Sequence, residues 1–233
     1  MNRNRWLLVL ALVLVVGGGI GTWMYVGGDA PEEVSLSNES RDSPGSFDGN
    51  FEGTWTIDTQ TGSLEEGTST YAGYRIREEF AGVGTNTAVG RTQDASGELT
   101  IDGTTISAVS VEVDMTTLRS DRDMRDNALR TRGLETGRFP TTNFELTEPI
   151  TVDGEPTSGD TINETATGDL TIHGVTKRVQ IPIQAKWTGQ QIEIAASHEV
   201  ALADYNIEPP TTARVRSIAE TGTLELHLLF TKA

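Results

Sequence analysis

The chain has 233 residues, which is enough for one sizeable domain and an additional segment, and its formal net charge is −16. Because the nucleic-acid phosphate backbone repels so acidic a protein, the composition argues against nucleic-acid binding. The chain contains no cysteine, which excludes disulfides, a thiolate nucleophile and a lipidated cysteine anchor.

The first predicted element is an apolar helix near the N-terminus. Residues 6–26 carry no charged side chain and follow Arg3 and Arg5. At ~1.5 Å per residue this range makes a helix of about 31 Å, which matches the core of a bilayer. Basic residues precede the span and acidic residues follow it. We therefore predict that residues 1–26 form a single-pass anchor in the cell membrane, with the C-terminal domain on the extracytoplasmic side. A cleaved signal segment is the alternative.

Residues 27–52 form the next predicted unit. They are rich in glycine, serine, proline and acidic residues and contain few large apolar side chains. Such a composition is typical of a flexible acidic linker, so the folded domain is expected over residues 53–233.

From residue 53 onward, apolar and polar residues alternate with the period of two that half-buried strands require. The clearest apolar sets are Ile106, Val109, Val111, Val113 and Met115; Val179, Ile181, Ile183, Ala185 and Trp187; and Leu224, Leu226, Leu228 and Phe230. Each strand should have one buried apolar face and one solvent-exposed polar face, as in antiparallel sheets. His198 and His227 are expected on the faces opposite the apolar sets.

Turn-forming pairs such as Asp102-Gly103 and His173-Gly174 separate these runs and predict hairpins between successive strands. Pro182 lies inside one run, which indicates an edge position or a bulge. Only one segment looks helical, so the apolar faces of many strands must cover one another. We therefore predict an all-β fold that closes into an antiparallel barrel of about eight strands.

The helical segment is residues 118–135. Ser120 is a candidate N-cap, and Gly133 is a candidate stop. Its run of arginines and aspartates has two interpretations. In the first, the helix is exposed to solvent and its charged side chains form ion pairs on the surface. In the second, a buried arginine–aspartate pair holds the helix over the barrel mouth. In the second interpretation Arg125 or a neighbouring cation faces an anionic head group.

The histidines do not form a catalytic or metal-binding pattern. None of the three has a spacing used for zinc, and the sequence contains no nucleophile elbow, phosphate loop or dinucleotide motif. His173 precedes a glycine between two alternating runs, so we interpret it as the first central residue of a tight turn. We predict no catalytic residue, no metal site and no cofactor.

Five sequence blocks follow one another in the order GTWTID, DMRDNAL with its RD-x-x-L arrangement, RFPTTNFEL, TGDLTIHGVTKRVQIPI and ALADYNI. In this combination they resemble the YceI-like family of bacterial extracytoplasmic proteins, over residues 53–233. The resemblance implies an extended eight-stranded lipocalin-like barrel around a long apolar channel. It also implies binding of polyisoprenoids, including isoprenoid quinones and isoprenyl phosphates.

These observations predict a membrane-tethered binding protein that holds a long apolar ligand in the barrel, such as a polyisoprenoid or a quinone. Small residues expected to face inward and leave room are Ala108, Ala185 and Ala195. Two alternatives remain open: a filled barrel that serves as a structural or interaction protein of the cell envelope, and a hydrolase or isomerase with carboxylates in the channel. The sequence does not indicate an oligomeric state. The predicted lipid-binding residues are Tyr74, Val111, Val113, Arg125, Phe144, Ile181, Ile183, Leu224, Leu226 and Leu228.

Overall fold

The structure, a computed structural model, describes residues 30–37, 51–82, 84–154, 157–210 and 215–233. The predicted membrane anchor over residues 1–26 lies outside these ranges. Within them, no helix combines the length and the apolar character that crossing a bilayer requires.

The described strands belong to one antiparallel sheet. Their bounds are β1 Gly53–Ile57, β2 Tyr71–Phe80, β3 Gly84–Thr92, β4 Ala95–Asp102, β5 Thr105–Asp114, β6 Arg119–Ser120, β7 Thr141–Leu146, β8 Ile150–Thr151, β9 Thr161–Ile172, β10 Val175–Trp187, β11 Ile192–Ala201, β12 Val215–Ile218 and β13 Thr221–Lys232. Eight strands close into a ring in the order β1, β4, β5, β7, β9, β10, β11 and β13, because β13 pairs with β1 as well as β11. The predicted all-β barrel of eight antiparallel strands is confirmed.

The helical segment consists of α1, Asp123–Ala128, and a π-helical turn, Leu129–Gly133. Gly133 ends this segment as predicted. The predicted capping by Ser120 is wrong, since the N-cap position is Arg122 and carries no side-chain capping bond. Ser120 Oγ instead donates to Asp126 Oδ1 at 2.6 Å, which ties α1 to the strand β6 that precedes it.

The interpretation of His173 as a turn residue is confirmed. His173 and Gly174 have φ angles of 51° and 73°, both in the left-handed region that a tight β9–β10 hairpin requires. The imidazole also has a structural role, since its Nδ1 lies 3.0 Å from the carbonyl oxygen of Tyr205. The Phe139 ring packs edge-on against the imidazole at 4.3 Å between centroids.

A β-bulge explains why Ile106 belongs to the inner row of β5. Ile101 pairs with Ile106 whereas Thr100 pairs with Ala108, so Ser107 is an extra residue in β5. The extra residue shifts the alternation by one, and Ile106 then shares the inner face with Val109. Ala108 is exposed on the outer face, so its predicted inward position is wrong.

Pro182 lies where β10 has a partner on one side only. The β9 ladder continues across it, but the β11 ladder begins at Ile183. Because proline has no N–H to donate, the open side of β10 accommodates it. The predicted edge position is therefore correct for one side of the strand.

The prediction that the outer face of β13 is exposed to solvent is wrong. Glu225 and His227 are 1% and 0% exposed, because other parts of the chain cover them. The connection between β1 and β2 passes over this face, and its Ser69 carbonyl oxygen lies 2.7 Å from His227 Nδ1. Ala195 pairs with His227 and shares this outer face, so its predicted inward position is also wrong.

A second covering element is the segment of residues 30–37, called here the strap. Arg75 Nη2 donates to the Pro31 carbonyl oxygen at 2.8 Å, and Arg91 Nη2 donates to the Glu32 carbonyl oxygen at 2.7 Å. Ser37 Oγ donates to Glu193 Oε2 at 2.8 Å. Part of the predicted linker is therefore held against the outside of the barrel wall.

Candidate functional site

The barrel strands surround a cavity of about 260 Å³ with an almost entirely apolar wall. Inward-facing alternate residues of β5, β10 and β13 supply much of that wall, because a period of two puts them all on one face. At ~3.3 Å per residue, the row on β13 from Leu224 to Phe230 extends about 20 Å along the strand. The cavity is therefore elongated along the strands.

The structure brings all ten predicted lipid-binding residues to the wall of this one cavity. They are Tyr74, Val111, Val113, Arg125, Phe144, Ile181, Ile183, Leu224, Leu226 and Leu228. Their contact with a lipid stays a prediction. Residues that the sequence analysis missed include Ala72, Ile76, Glu78 and Ala196, which also line the cavity.

An aromatic cluster closes one end of the barrel. Trp55 is fully buried, and its ring meets Trp187 at 5.7 Å between centroids with the planes nearly perpendicular. Phe51 packs edge-on against Trp187 at 4.9 Å. Edge-to-face aromatic contacts of this kind are favourable, and none of these three rings lines the cavity, so the cluster fills this end of the barrel.

The opposite end reaches the surface beside α1. Met124 lines the cavity and is also 67% exposed, which places an opening next to the helix. Pro209 and Pro210 border the same end of the cavity. The cavity thus has a closed aromatic end and a helix-lined end.

A buried ion pair joins α1 to the barrel wall. Arg125 Nε donates to Glu78 Oε1 at 3.0 Å, and Arg125 Nη2 donates to Glu78 Oε2 at 2.9 Å. Burial alone would lower the pKa of Arg125, but the hydrogen bonds and charge of Glu78 outweigh burial and raise the pKa. The arginine is therefore a fixed cation with a fixed partner.

This pairing corrects the partner expected for a buried arginine: Arg125 is buried and ion-paired, but with Glu78 of β2. The adjacent Asp126 does not pair with Arg125; its Oδ1 accepts hydrogen bonds from Ser120, and its Oδ2 has no partner among the described residues. Arg125 also binds Asp121, which is about half exposed. The sequence did carry a signal for this partner of Arg125. Glu78 is four residues after Tyr74 on β2, so the period of two puts both side chains on the same face of the strand.

Tyr74 brings a polar atom into the apolar wall. Its ring lies over Gly90 of the neighbouring strand, where a Cβ atom would come within 2.4 Å of Tyr74 Cε1. Its hydroxyl oxygen is buried, and the neighbouring polar group is the Ser120 side chain. Burial raises the pKa of Tyr74; the charges of Asp126 and Glu78 act in the same direction, while Arg125 and Ser120 act against it.

Metal binding finds no support in the part of the chain that the structure describes. No group of three or more histidine, aspartate and glutamate side chains there could hold a metal ion. His173 binds a carbonyl oxygen at its turn, and the His227 ring lies between Ser69 and Glu193 outside the cavity wall.

The sequence matches a known family over most of its length. The profile of the YceI-like domain matches residues 55–230. A UPF0312 protein of Vibrio vulnificus is 33% identical over 127 residues, which make up 51% of this chain and 64% of that protein, so the match spans less than two thirds of the relative. Protein YceI of Escherichia coli is 28% identical over 153 residues, 62% of this chain and 74% of that protein.

Solved structures share the fold at low sequence identity. A polyisoprenoid binding domain from Saccharophagus degradans has a TM-score of 0.56 at 16% identity, covering 70% of this chain and 94% of that domain. BcnA of Burkholderia cenocepacia has a TM-score of 0.54 at 14% identity, covering 74% of this chain and 98% of that protein.

Proposed function

The chain belongs to the YceI-like domain family, and we propose that it is a binding protein that holds a long apolar ligand, such as a polyisoprenoid or an isoprenoid quinone, inside its barrel. The elongated apolar cavity is the observation that carries this proposal. The similar domain from Saccharophagus degradans is described as polyisoprenoid binding, which supports the same ligand class here.

Burial of apolar surface is sufficient for such binding. Each buried CH₂ group contributes ~0.8 kcal/mol, so a prenyl chain along the cavity needs no covalent chemistry to be held. The open interior speaks against a barrel filled by its own side chains. The carboxylate that lines the helix end, Glu78, is occupied by Arg125, which speaks against a hydrolase or isomerase.

We also propose that the barrel is tethered to the cell membrane on the extracytoplasmic side. The uncharged stretch over residues 6–26, with arginines before it and acids after it, supports this arrangement. A tethered barrel would take up and release a lipid close to the bilayer that supplies it.

A pair of alanine-to-tryptophan variants tests the binding function. Ala196 is buried and lines the cavity, whereas Ala108 is exposed on the outer face. The full chain in detergent would be immobilised and incubated with a polyprenol, and the retained polyprenol would be quantified after washing. Ala196→Trp should retain at most about a tenth of the wild-type amount, because the indole fills the channel.

Ala108→Trp should retain as much polyprenol as the wild type. Circular dichroism of both variants shows whether each barrel is folded. Equal retention by a folded Ala196→Trp variant and the wild type would place the lipid outside the cavity and contradict the proposal.

A further inference from the structure

The beginning of the strap is held halfway along the outer wall of the barrel. The carbonyl oxygens of Pro31 and Glu32 accept hydrogen bonds from Arg75 and Arg91. Both guanidinium groups also donate to Glu225 of β13, Arg75 at 2.8 Å and Arg91 at 3.3 Å. The start of the strap therefore lies at the level of Glu225.

The end of the strap lies nearer the closed aromatic end. Ser37 donates to Glu193, which pairs across the sheet with Leu229, four residues beyond Glu225 on β13. Lys186 Nζ donates to the Ser37 carbonyl oxygen at 3.0 Å and fixes the same point. Because the strap runs toward the closed end, the chain that precedes it leaves the wall on the side of the helix-lined end.

The distance from the strap to the predicted membrane span favours the same end. Four Cα-to-Cα steps lead from residue 26 to residue 30, and they reach at most about 14 Å. At ~3.3 Å per residue, Thr221 at the helix-lined rim is about 13 Å from Glu225 along β13, whereas Lys232 at the closed rim is about 23 Å away. The connection is long enough to bring the helix-lined end to a bilayer surface and too short to bring the closed end there.

The two ends of the barrel also differ in charge. Residues 118–138 carry six arginines and four acidic residues, and Asp204, Glu208 and Glu220 on neighbouring connections offset this surplus. The turns at the closed end hold no basic side chain among their described residues and carry several acids: Glu65, Glu66, Asp102, Asp153 and Asp160. An anionic lipid surface therefore repels the closed end more strongly than the helix-lined end.

The rim of the helix-lined end is apolar. Within the described residues, Met124 is the large hydrophobic side chain that is exposed to solvent, and it borders the cavity opening with Pro209 and Pro210. A bilayer that covers this rim removes the Met124 side chain from water. The same arrangement lets a prenyl chain pass between the bilayer and the cavity without crossing water.

We infer that the helix-lined end of the barrel docks on an anionic lipid bilayer, so that the cavity opens directly onto the membrane surface. This inference rests on the proposed function and on the proposed tether. It assigns the occupant of the exposed rim around Met124, which is the lipid surface itself.

Site-directed fluorescence quenching tests the orientation. The chain has no cysteine, so Asn127→Cys on α1 and Ser158→Cys at the closed end each create one labelling site. Both positions are exposed, and Ser158 precedes Gly159, whose N–H donates to the Trp187 carbonyl oxygen. Each full-length variant carries a nitrobenzoxadiazole label and is reconstituted into vesicles of phosphatidylcholine and phosphatidylglycerol that include a lipid with a nitroxide in its head group.

Quenching at position 127 should exceed quenching at position 158 at least about threefold, because the twelve residues of β13 separate the two ends by about 40 Å. Arg132→Glu, an exposed change beside the mouth, should lower the quenching at position 127 about twofold by repelling the anionic lipid. Lys232→Glu makes the same charge change at the closed end and should leave that quenching unchanged. In vesicles of phosphatidylcholine alone, Arg132→Glu should have no effect.

The outcomes distinguish the orientation from the binding function, since polyprenol retention is measured on the same labelled proteins. Equal quenching at the two positions, or stronger quenching at position 158, would overturn the inference and leave the binding function standing. A chain that does not enter the vesicles would overturn the inference and the tether together. Stronger quenching at position 127 without polyprenol retention would support the orientation and contradict the binding function.

Discussion

Arg125 on α1 and Glu78 on β2 are joined by two parallel hydrogen bonds of 3.0 and 2.9 Å. Their side chains are only 9% and 5% exposed, so water screens this ion pair weakly. The pair fixes the helix to the inner wall of the barrel beside Met124, where the cavity reaches the surface. The polar residues of the helix thus serve the architecture of the channel end.

Removal of one partner should be costly. Arg125→Ala leaves the buried Glu78 carboxylate without its counter-charge, and the free energy of unfolding should fall by about 3–5 kcal/mol. Urea titration followed by circular dichroism measures the loss. The exposed pair Arg178–Asp169 supplies the control, since Arg178→Ala should leave the stability almost unchanged. Equal effects of the two substitutions would show that the pair does not hold the helix.

The packing of the Tyr74 ring against Gly90 gives a second prediction. A methyl group at position 90 would lie 2.4 Å from Tyr74 Cε1, so Gly90→Ala must displace the ring or the strand. Overpacking of this kind destabilises by about 1–3 kcal/mol. Gly137→Ala is the control, because no atom lies within 4 Å of its added Cβ. Thermal unfolding compares the two, and a Gly90→Ala protein as stable as the control would contradict the ring placement.

The strap gives a prediction about pH. Burial acts to raise the pKa of Glu193, but hydrogen bonds from His227 and Ser37 outweigh burial and lower the pKa below its ordinary value of 4.5. A carboxylate with a lowered pKa in the folded state stabilises the protein above that ordinary value. The stabilisation is lost as the pH falls through the folded-state pKa.

Glu193→Gln should therefore lower the free energy of unfolding by about 1–3 kcal/mol at neutral pH, since a charged acceptor is replaced by a neutral one. The difference from the wild type should shrink as the medium becomes more acidic than the folded-state pKa. Urea titrations over a pH series measure it. Glu199→Gln, an exposed change on the same strand, should show little effect at any pH. A difference that does not depend on pH would contradict this account.

The alternation of apolar residues was sufficient to predict the barrel and its inner rows. Along β13, for example, every second residue from Leu224 to Phe230 is apolar and faces the interior, so the pattern follows the period of two without interruption. The family resemblance added the extended shape. The turn at His173 was predictable because a histidine before glycine tolerates the left-handed conformation that a tight hairpin needs.

Long-range contacts account for the features that the sequence did not reveal. The alternation along β13 predicts that His227 is exposed to solvent. It is fully buried because the chain around Ser69, distant in sequence, passes over it. The buried partner of Arg125 was missed for a similar reason: Glu78 lies on β2, 47 residues away in the sequence, while three aspartates lie near the arginine in the helical segment. Ala108 faces outward because it alternates with the inward Val109, and the bulge at Ser107 is what puts Ile106 on the inner face as well.

The content of the cavity is the most direct test of the central claim. The full chain should be purified from the cells that produce it and extracted with organic solvent. The extract is analysed by mass spectrometry beside an extract of Ala196→Trp. A cavity that holds a long apolar ligand predicts one prenyl-chain lipid in near-stoichiometric amount with the wild type and little with the variant. A wild-type protein that comes out empty and takes up no added prenyl lipid would contradict it.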